Sequence, residues 1–203
     1  MGYKFKAMNG ISAEKLLEKL TDITIANKEF VQKKCTHLGN NQLNWRPTES
    51  SWNILEVLSH LNSYSNYYHK LILYKIRHSK HKEPKEIFVS SQLGKSAWRS
   101  MKLGKANNIK KKFRAPRQFN PTINSSLVDK DAVNIFIDQQ ETLLRILEKS
   151  AFANLKKIKV PISISKVIRL RLGDILQFII YHNERHIQQV KNIMAHNNFP
   201  KKK

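Results

Sequence analysis

The chain has 203 residues, 40 % of them apolar, and a formal net charge of +22 at neutral pH. That length allows one domain with a sizeable core and is short for two, so residues 1–203 are read as a single domain. The single cysteine, Cys35, excludes an intrachain disulfide framework and fits a reducing compartment.

At the N-terminus, "MGYKFKAMNG" lacks the apolar stretch of a signal peptide, and Lys6 stands where N-myristoylation requires Ser or Thr. The first periodic stretch covers about 12–37. Ser12 is placed to cap it, Ile11 and Leu16 have the spacing of a hydrophobic staple, and Leu16, Leu20, Ile23, Phe30 and Val31 recur at helical intervals before Gly39. The second covers about 53–78. Asn53 and Glu56 have capping-box spacing, and Ile54, Val57, Leu61, Tyr64, Tyr68, Leu71 and Ile72 trace one face.

Residues of about 80–128 then form a long connection with Pro84, Pro116 and Pro121, and with a short helix expected around Trp98 to Lys102. A third helix is expected over about 129–149, with Phe136, Leu143, Leu144 and Leu147 inward. "KVPISISK" reads as extended, since Ile162 and Ile164 alternate with serines. The fourth helix is expected over about 173–196, with Ile175, Leu176, Ile179, Val190, Ile193 and Met194 inward. Four long amphipathic helices predict an all-α fold, a four-helix bundle with a long crossover between helices two and three. The best apolar run, "ILQFII", is too short to span a bilayer, so the expected location is the cytoplasm, with no membrane partner.

The chemistry gathers on histidines. In "YHNERHIQQV", His182 and His186 lie about 40° apart on the helical wheel and inside the apolar arc. Each imidazole needs a hydrogen-bond partner there, and one shared metal ion satisfies both. The order H-N-E-R-H differs from the zinc-protease pattern, and Glu184 lies about 200° from His182, which places it on the solvent face. A third ligand is sought on the second helix. His69 is about 180° from His60, and His78 is about 27 Å further along the axis. His60 follows the cap closely among inward residues and is preferred; His37, His81 and His196 are expected at the surface. Three neutral imidazoles leave a coordination position for water or substrate, the pattern of catalytic sites. The bland alternative is a core with three internal histidines and no metal.

Two segments carry a family resemblance. One is "LNWRPTESSWNILEVLSHL", with Trp45, Pro47, Trp52, His60 and Leu61. The other is "LRLGDILQFIIYHNERHIQQVKNIM", with His182, His186, Gln188 and Gln189. Together they resemble the DinB-like superfamily of bacterial four-helix bundles, including its bacillithiol-transferase branch. The resemblance implies a divalent metal, zinc or nickel above others, held by His60, His182 and His186. It also implies a low-molecular-weight thiol as a co-substrate, with S-transferase or isomerase chemistry.

The charge departs from that pattern. From Lys75 to Arg117 the only acids are Glu83 and Glu86. Such a segment attracts anions and suggests weak, non-specific nucleic-acid binding, with Trp98, Phe113 and Phe119 available for stacking, although no recognition motif accompanies it. The expectation is therefore a metal-dependent enzyme acting on a small molecule and a thiol, with turnover left uncertain. The alternatives are a metal-binding or stress-related protein without turnover and, behind that, a nucleic-acid binder. A homodimer is left open.

Overall fold

The computed structural model describes residues 10–111 and 113–201; the N-terminal stretch read above for a leader lies outside them, apart from Gly10. The described residues form six α-helices, α1 (Ala13–Lys34), α2 (Asn40–Leu43), α3 (Ile54–Arg77), α4 (Gln92–Met101), α5 (Ala132–Ala151) and α6 (Leu172–Met194). Four short strands accompany them, β1 (Ile11–Ser12), β2 (Ile87–Phe88), β3 (Lys159–Ile162) and β4 (Ser165–Arg171). The four long helices expected from the sequence are α1, α3, α5 and α6, each with bounds within about three residues of the expected ones.

Local chemistry sets the helix ends. Ser12 Oγ accepts the Lys15 amide at 3.3 Å and starts α1, while Lys33 and Lys34 in the last turn face the negative end of the helix dipole. The start of α3 is held more tightly. Asn53 Oδ1 accepts the Glu56 amide at 2.8 Å, and the Asn53 amide donates back to Glu56 Oε2 at 2.9 Å. Arg46 then grips the same carboxylate with both arms, at 2.6 and 2.8 Å. Glu56 is buried, so this fork supplies the charge partner that burial demands.

α1 and α3 each pack against both α5 and α6. The apolar core divides into two clusters along the helices. Leu16 to Leu20, Tyr64 to Ile72, Leu143 to Leu147 and Leu172 to Tyr181 belong to one; Val31, Ile54 to Leu61, Ala132 to Phe136 and Ile187 to Ile193 belong to the other. The order of these residues makes α1 run with α6 and against α3 and α5. Since α3 and α5 run the same way, the connection between them must return along the whole length of the helices, which is why it is long.

Two features of the connections differ from the sequence expectation, one in this crossover and one between α5 and α6. The short helix begins earlier, as α4, and packs on α6. Its cap, Ser91, accepts the Gly94 amide at 3.0 Å and donates to Asp174 Oδ2 at 2.8 Å, while Gly94 lies so close to the Asp174 carboxylate that any larger side chain would overlap it. The extended stretch before α6 is the first half of an antiparallel hairpin, with Lys159 opposite Arg171 and Val160 opposite Leu170. β4 was not foreseen because its outward positions include Val167, 88 % exposed, so the apolar alternation that marks a half-buried strand is lost.

The cap network yields a stability prediction. Asn53→Ala should cost about 1 kcal/mol. Glu56→Ala should cost more, about 2–4 kcal/mol, because it strands both the Asn53 amide and the Arg46 guanidinium. Urea unfolding of both variants checks the order; equal losses would mean that the Arg46 fork contributes nothing.

Candidate metal centre

α3 carries His60 about two turns beyond its cap, and α6 carries His182 and His186 on adjacent turns. The fold brings these three together: one nitrogen of each lies within 4.8 Å of the others. His60 is 2 % exposed and His182 6 %, while His186 is partly buried. The ring centroids are 4.6 to 5.1 Å apart.

The outer nitrogens decide what the inner ones can do. His60 Nδ1 donates to the Phe119 carbonyl at 2.6 Å, and His186 Nδ1 donates to Gln189 Oε1 at 2.9 Å. Each bond fixes the ring proton on Nδ1 and leaves Nε2 as a bare lone pair. His60 Nε2 and His182 Nε2 face each other at 3.2 Å. Two nitrogens bound to one tetrahedral zinc-sized ion stand about 3.3 Å apart, so this spacing suits a shared cation. The donor set, three imidazoles with no thiolate or carboxylate, suits zinc, nickel or another borderline divalent ion. Burial also keeps the rings neutral, as ligands must be. It pulls His60 down to about 4, and it lowers His182 and His186 well below the ordinary histidine range, with His60 adding to the effect on both and His186 to that on His182.

An aromatic wall surrounds the cluster. Trp52 lies 5.0 Å from His60 and stacks on His186 at 6.0 Å; Tyr64 lies 4.6 Å from His182, which also stacks on Phe178 at 5.8 Å. Phe119 closes over Tyr64 at 4.2 Å. Tyr64 is pushed up to about 12 by burial and stays a phenol.

The remaining expectations divide. His69 is buried but apart from the cluster, its Nε2 without a partner, and His37, His78 and His196 are exposed. His81 is half-buried rather than at the surface. Trp45 is not part of the site; it packs on His196 and Phe199 at 5.1 and 5.7 Å. Glu184 does point away from the imidazoles, yet it is half-buried rather than on the solvent face, because α4 covers that side of α6 and sets Lys102 near it. Cys35 is buried and its thiol is pushed up to about 12, which makes it inert. Of the aromatics expected to stack on nucleic acid, Phe119 is buried and Trp98 packs on Tyr181, leaving Phe113 as the exposed one. Two contributors escaped the sequence reading. Phe178 has the same spacing from His182 as His182 has from His186, a signal that was present. The Phe119 carbonyl is a backbone group and carries no such signal.

Among comparisons with known proteins, the family model of the DinB superfamily matches residues 32–190, an interval that includes all three histidines. No curated protein and no solved structure matches. Among the described residues, no helix is long and apolar enough to cross a membrane.

The lowered histidines make the metal-free protein acid-sensitive. In the unfolded chain a histidine takes its proton near 6.5, whereas folded His60 and His69 take theirs near 4. Between those values the unfolded state holds more protons, so stability falls as pH drops from about 6.5 to about 4 and levels below. Each such group removes about 1.4 kcal/mol per pH unit across that window. Urea midpoints between pH 7.5 and 4 measure the slope, and His69→Gln should make it shallower.

Proposed function

We propose that this chain, which belongs to the DinB superfamily, holds one divalent metal ion between His60, His182 and His186 within a DinB-type four-helix bundle. We further propose that it uses the ion to join a low-molecular-weight thiol to an electrophilic carbon. The observation that carries the metal reading is the pair of Nδ1 bonds, to the Phe119 carbonyl and to Gln189, which turn two Nε2 lone pairs inward beside a third imidazole. His182 Nδ1 has no partner, so nothing holds its proton there or on Nε2; at 3.2 Å from His60, His182 Nε2 can donate to it in the metal-free protein or turn a third lone pair to a shared ion. Burial keeps the rings neutral, the form that ligation requires.

A divalent ion in this position supplies positive charge that favours a deprotonated sulfur, or water, at neutral pH. The protein's own groups do the rest. The Phe119 carbonyl and Gln189 hold the ring protons outward. Trp52, Tyr64 and Phe178 keep water away from the reacting atoms and offer an apolar face to the electrophile. Among the described residues no carboxylate joins the cluster, so no side chain there is placed as a general base. This favours a nucleophile that needs only to lose its proton on binding over one that needs continuous proton transfer.

Metal-free protein titrated with zinc and with nickel should take up about one ion per chain. His60→Ala, His182→Ala and His186→Ala should each abolish tight uptake, and Gln189→Leu should weaken it by about 10- to 100-fold while leaving the three ligands in place. Metal uptake undiminished in all three alanine variants would overturn the site. Turnover is tested by offering loaded protein bacillithiol, glutathione, coenzyme A or cysteine with a model electrophile, and following conjugate by mass spectrometry. Metal uptake with no conjugate from any thiol would leave a metal-binding protein without this activity.

A further inference from the structure

Arg185 sits beside the metal centre, and nothing above explains it. It lies on α6 three residues beyond His182 and one before His186, and it is 5 % exposed. Residues three apart on a helix are neighbours, so the guanidinium is carried alongside the His182 ring. Its charge reaches both imidazoles and contributes to their lowered proton affinity.

Among the described residues this cation has no counter-charge. The ion pairs among the described residues join Lys28 to Glu141, Lys33 to Glu29, Arg46 to Glu56 and Lys85 to Glu83. Glu184, the adjacent acid, faces Lys102 and Lys19 instead. Arg185 gives Nη2 to the Lys111 carbonyl, and Phe113 covers the guanidinium with its ring centroid 5.3 Å away. Nη1 is fully buried with no partner. Burial weakens the guanidinium's hold on its proton and no acid restores it. A buried, unpaired charge is costly, and a guanidinium stays charged at any physiological pH. Compare Arg46, in the stretch before α3, whose two arms are both filled by Glu56. Arg185 has the same fork and no carboxylate in it.

The position of the crossover explains where a partner would enter. Phe113 rests on Arg185, and six residues later the Phe119 carbonyl accepts from His60. The stretch between them therefore bridges from Arg185 to the histidine cluster. It contributes Arg114 and Arg117 and no acid, so the approach is cationic throughout.

We propose that Arg185 is the oxyanion receptor of the site, pairing through its planar fork with a carboxylate or phosphate of the small molecule that occupies the histidine cluster. The anionic group pairs with Nη1, on the side of α6 where Phe113 rests on Arg185 and the crossover runs on to Phe119. The substrate class follows: a small molecule that carries an oxyanion a few bonds from the atom that reacts. This rests on the reading of the cluster as the substrate site, but its test does not depend on the metal.

The probes are succinate and inorganic phosphate, titrated into the metal-free full chain at physiological salt. Arginine side-chain ¹⁵N–¹H NMR reads the wild type without any mutation, and the Arg185 signal should shift and saturate. Saturation with succinate alone identifies a carboxylate receptor, and saturation with phosphate alone a phosphate receptor. Calorimetry should show binding weakened at least tenfold in Arg185→Gln and partly retained in Arg185→Lys, which keeps the charge but loses the fork. Lys110→Gln, a control for the general positive field, should change affinity less than twofold. Zinc affinity, measured separately, should survive Arg185→Gln. If the Arg185 signal stays still with both probes, or Lys110→Gln weakens binding as much as Arg185→Gln, the proposal is overturned. Anion binding at Arg185 in a protein that takes up no metal would sink the metal reading and leave this one standing.

Discussion

The 2.6 Å hydrogen bond from His60 to the Phe119 carbonyl is the contact on which the rest of the site depends. It spans 59 residues of sequence and joins α3 to the far part of the crossover. Chemically it selects one tautomer, so the same bond that anchors the crossover also aims a lone pair into the cluster. Neighbouring contacts reinforce it. Ser59 Oγ accepts the Asp129 amide at 3.1 Å, and Asn62 donates to the Ala132 carbonyl at 3.0 Å, which fixes where α5 begins against α3. Three contacts within about one turn of α3 thus hold the crossover and the helix that follows it. A long loop would ordinarily be the loosest part of a small domain; here its end is a structural member of the chemistry.

A second constraint lies between the two apolar clusters. Thr24 and Asn27 of α1, Ser65 of α3, Gln140 of α5 and Asn183 of α6 are all buried at the middle level of the helices, and Asn183 donates to Gln140 at 3.3 Å. An apolar layer there would pack as well and cost less. What a polar layer adds is register: slide any one helix by a turn, and an amide meets leucines. The register matters because Asn183 follows His182 directly. A helix level that is fixed for Asn183 is fixed for the imidazole beside it, and a displacement of one turn would carry His182 past His60.

The parts of this design that sequence exposes are those with short-range signatures. Ser12 and Asn53 announce helix starts because caps act within three residues, and His182 with His186 announce a site because two imidazoles on an apolar face need a reason. Helix geometry shows that His60, His69 and His78 cannot serve one site together, and the nearby cap and inward neighbours of His60 select it. Features that depend on partners distant in sequence were not legible. The need for glycine at position 94 appears only when Asp174 is seen against it, and the place of Trp45 only when His196 and Phe199 are seen packed on it. Nothing in the sequence marks Arg185 as buried, since charged side chains are rarely buried without a partner. Only the crossover, which covers it with Phe113, reveals otherwise.

These pieces give the net charge of +22 a local meaning. Three neutral imidazoles offset none of a cation's charge, and Arg185 adds another positive charge beside them. Like unit charges ~8 Å apart repel by about 2 kcal/mol at an effective dielectric of about 20. An all-histidine centre next to a buried guanidinium therefore holds its ion less firmly than one that includes a carboxylate. The same excess works in favour of an anion, which is attracted by every one of these charges at once. On the proposed reading, such a cluster would be balanced only with metal and anion present together. Each would then strengthen the other's binding by the same factor, as linkage requires, and the fully loaded site would be the electrostatically satisfied state of the fold.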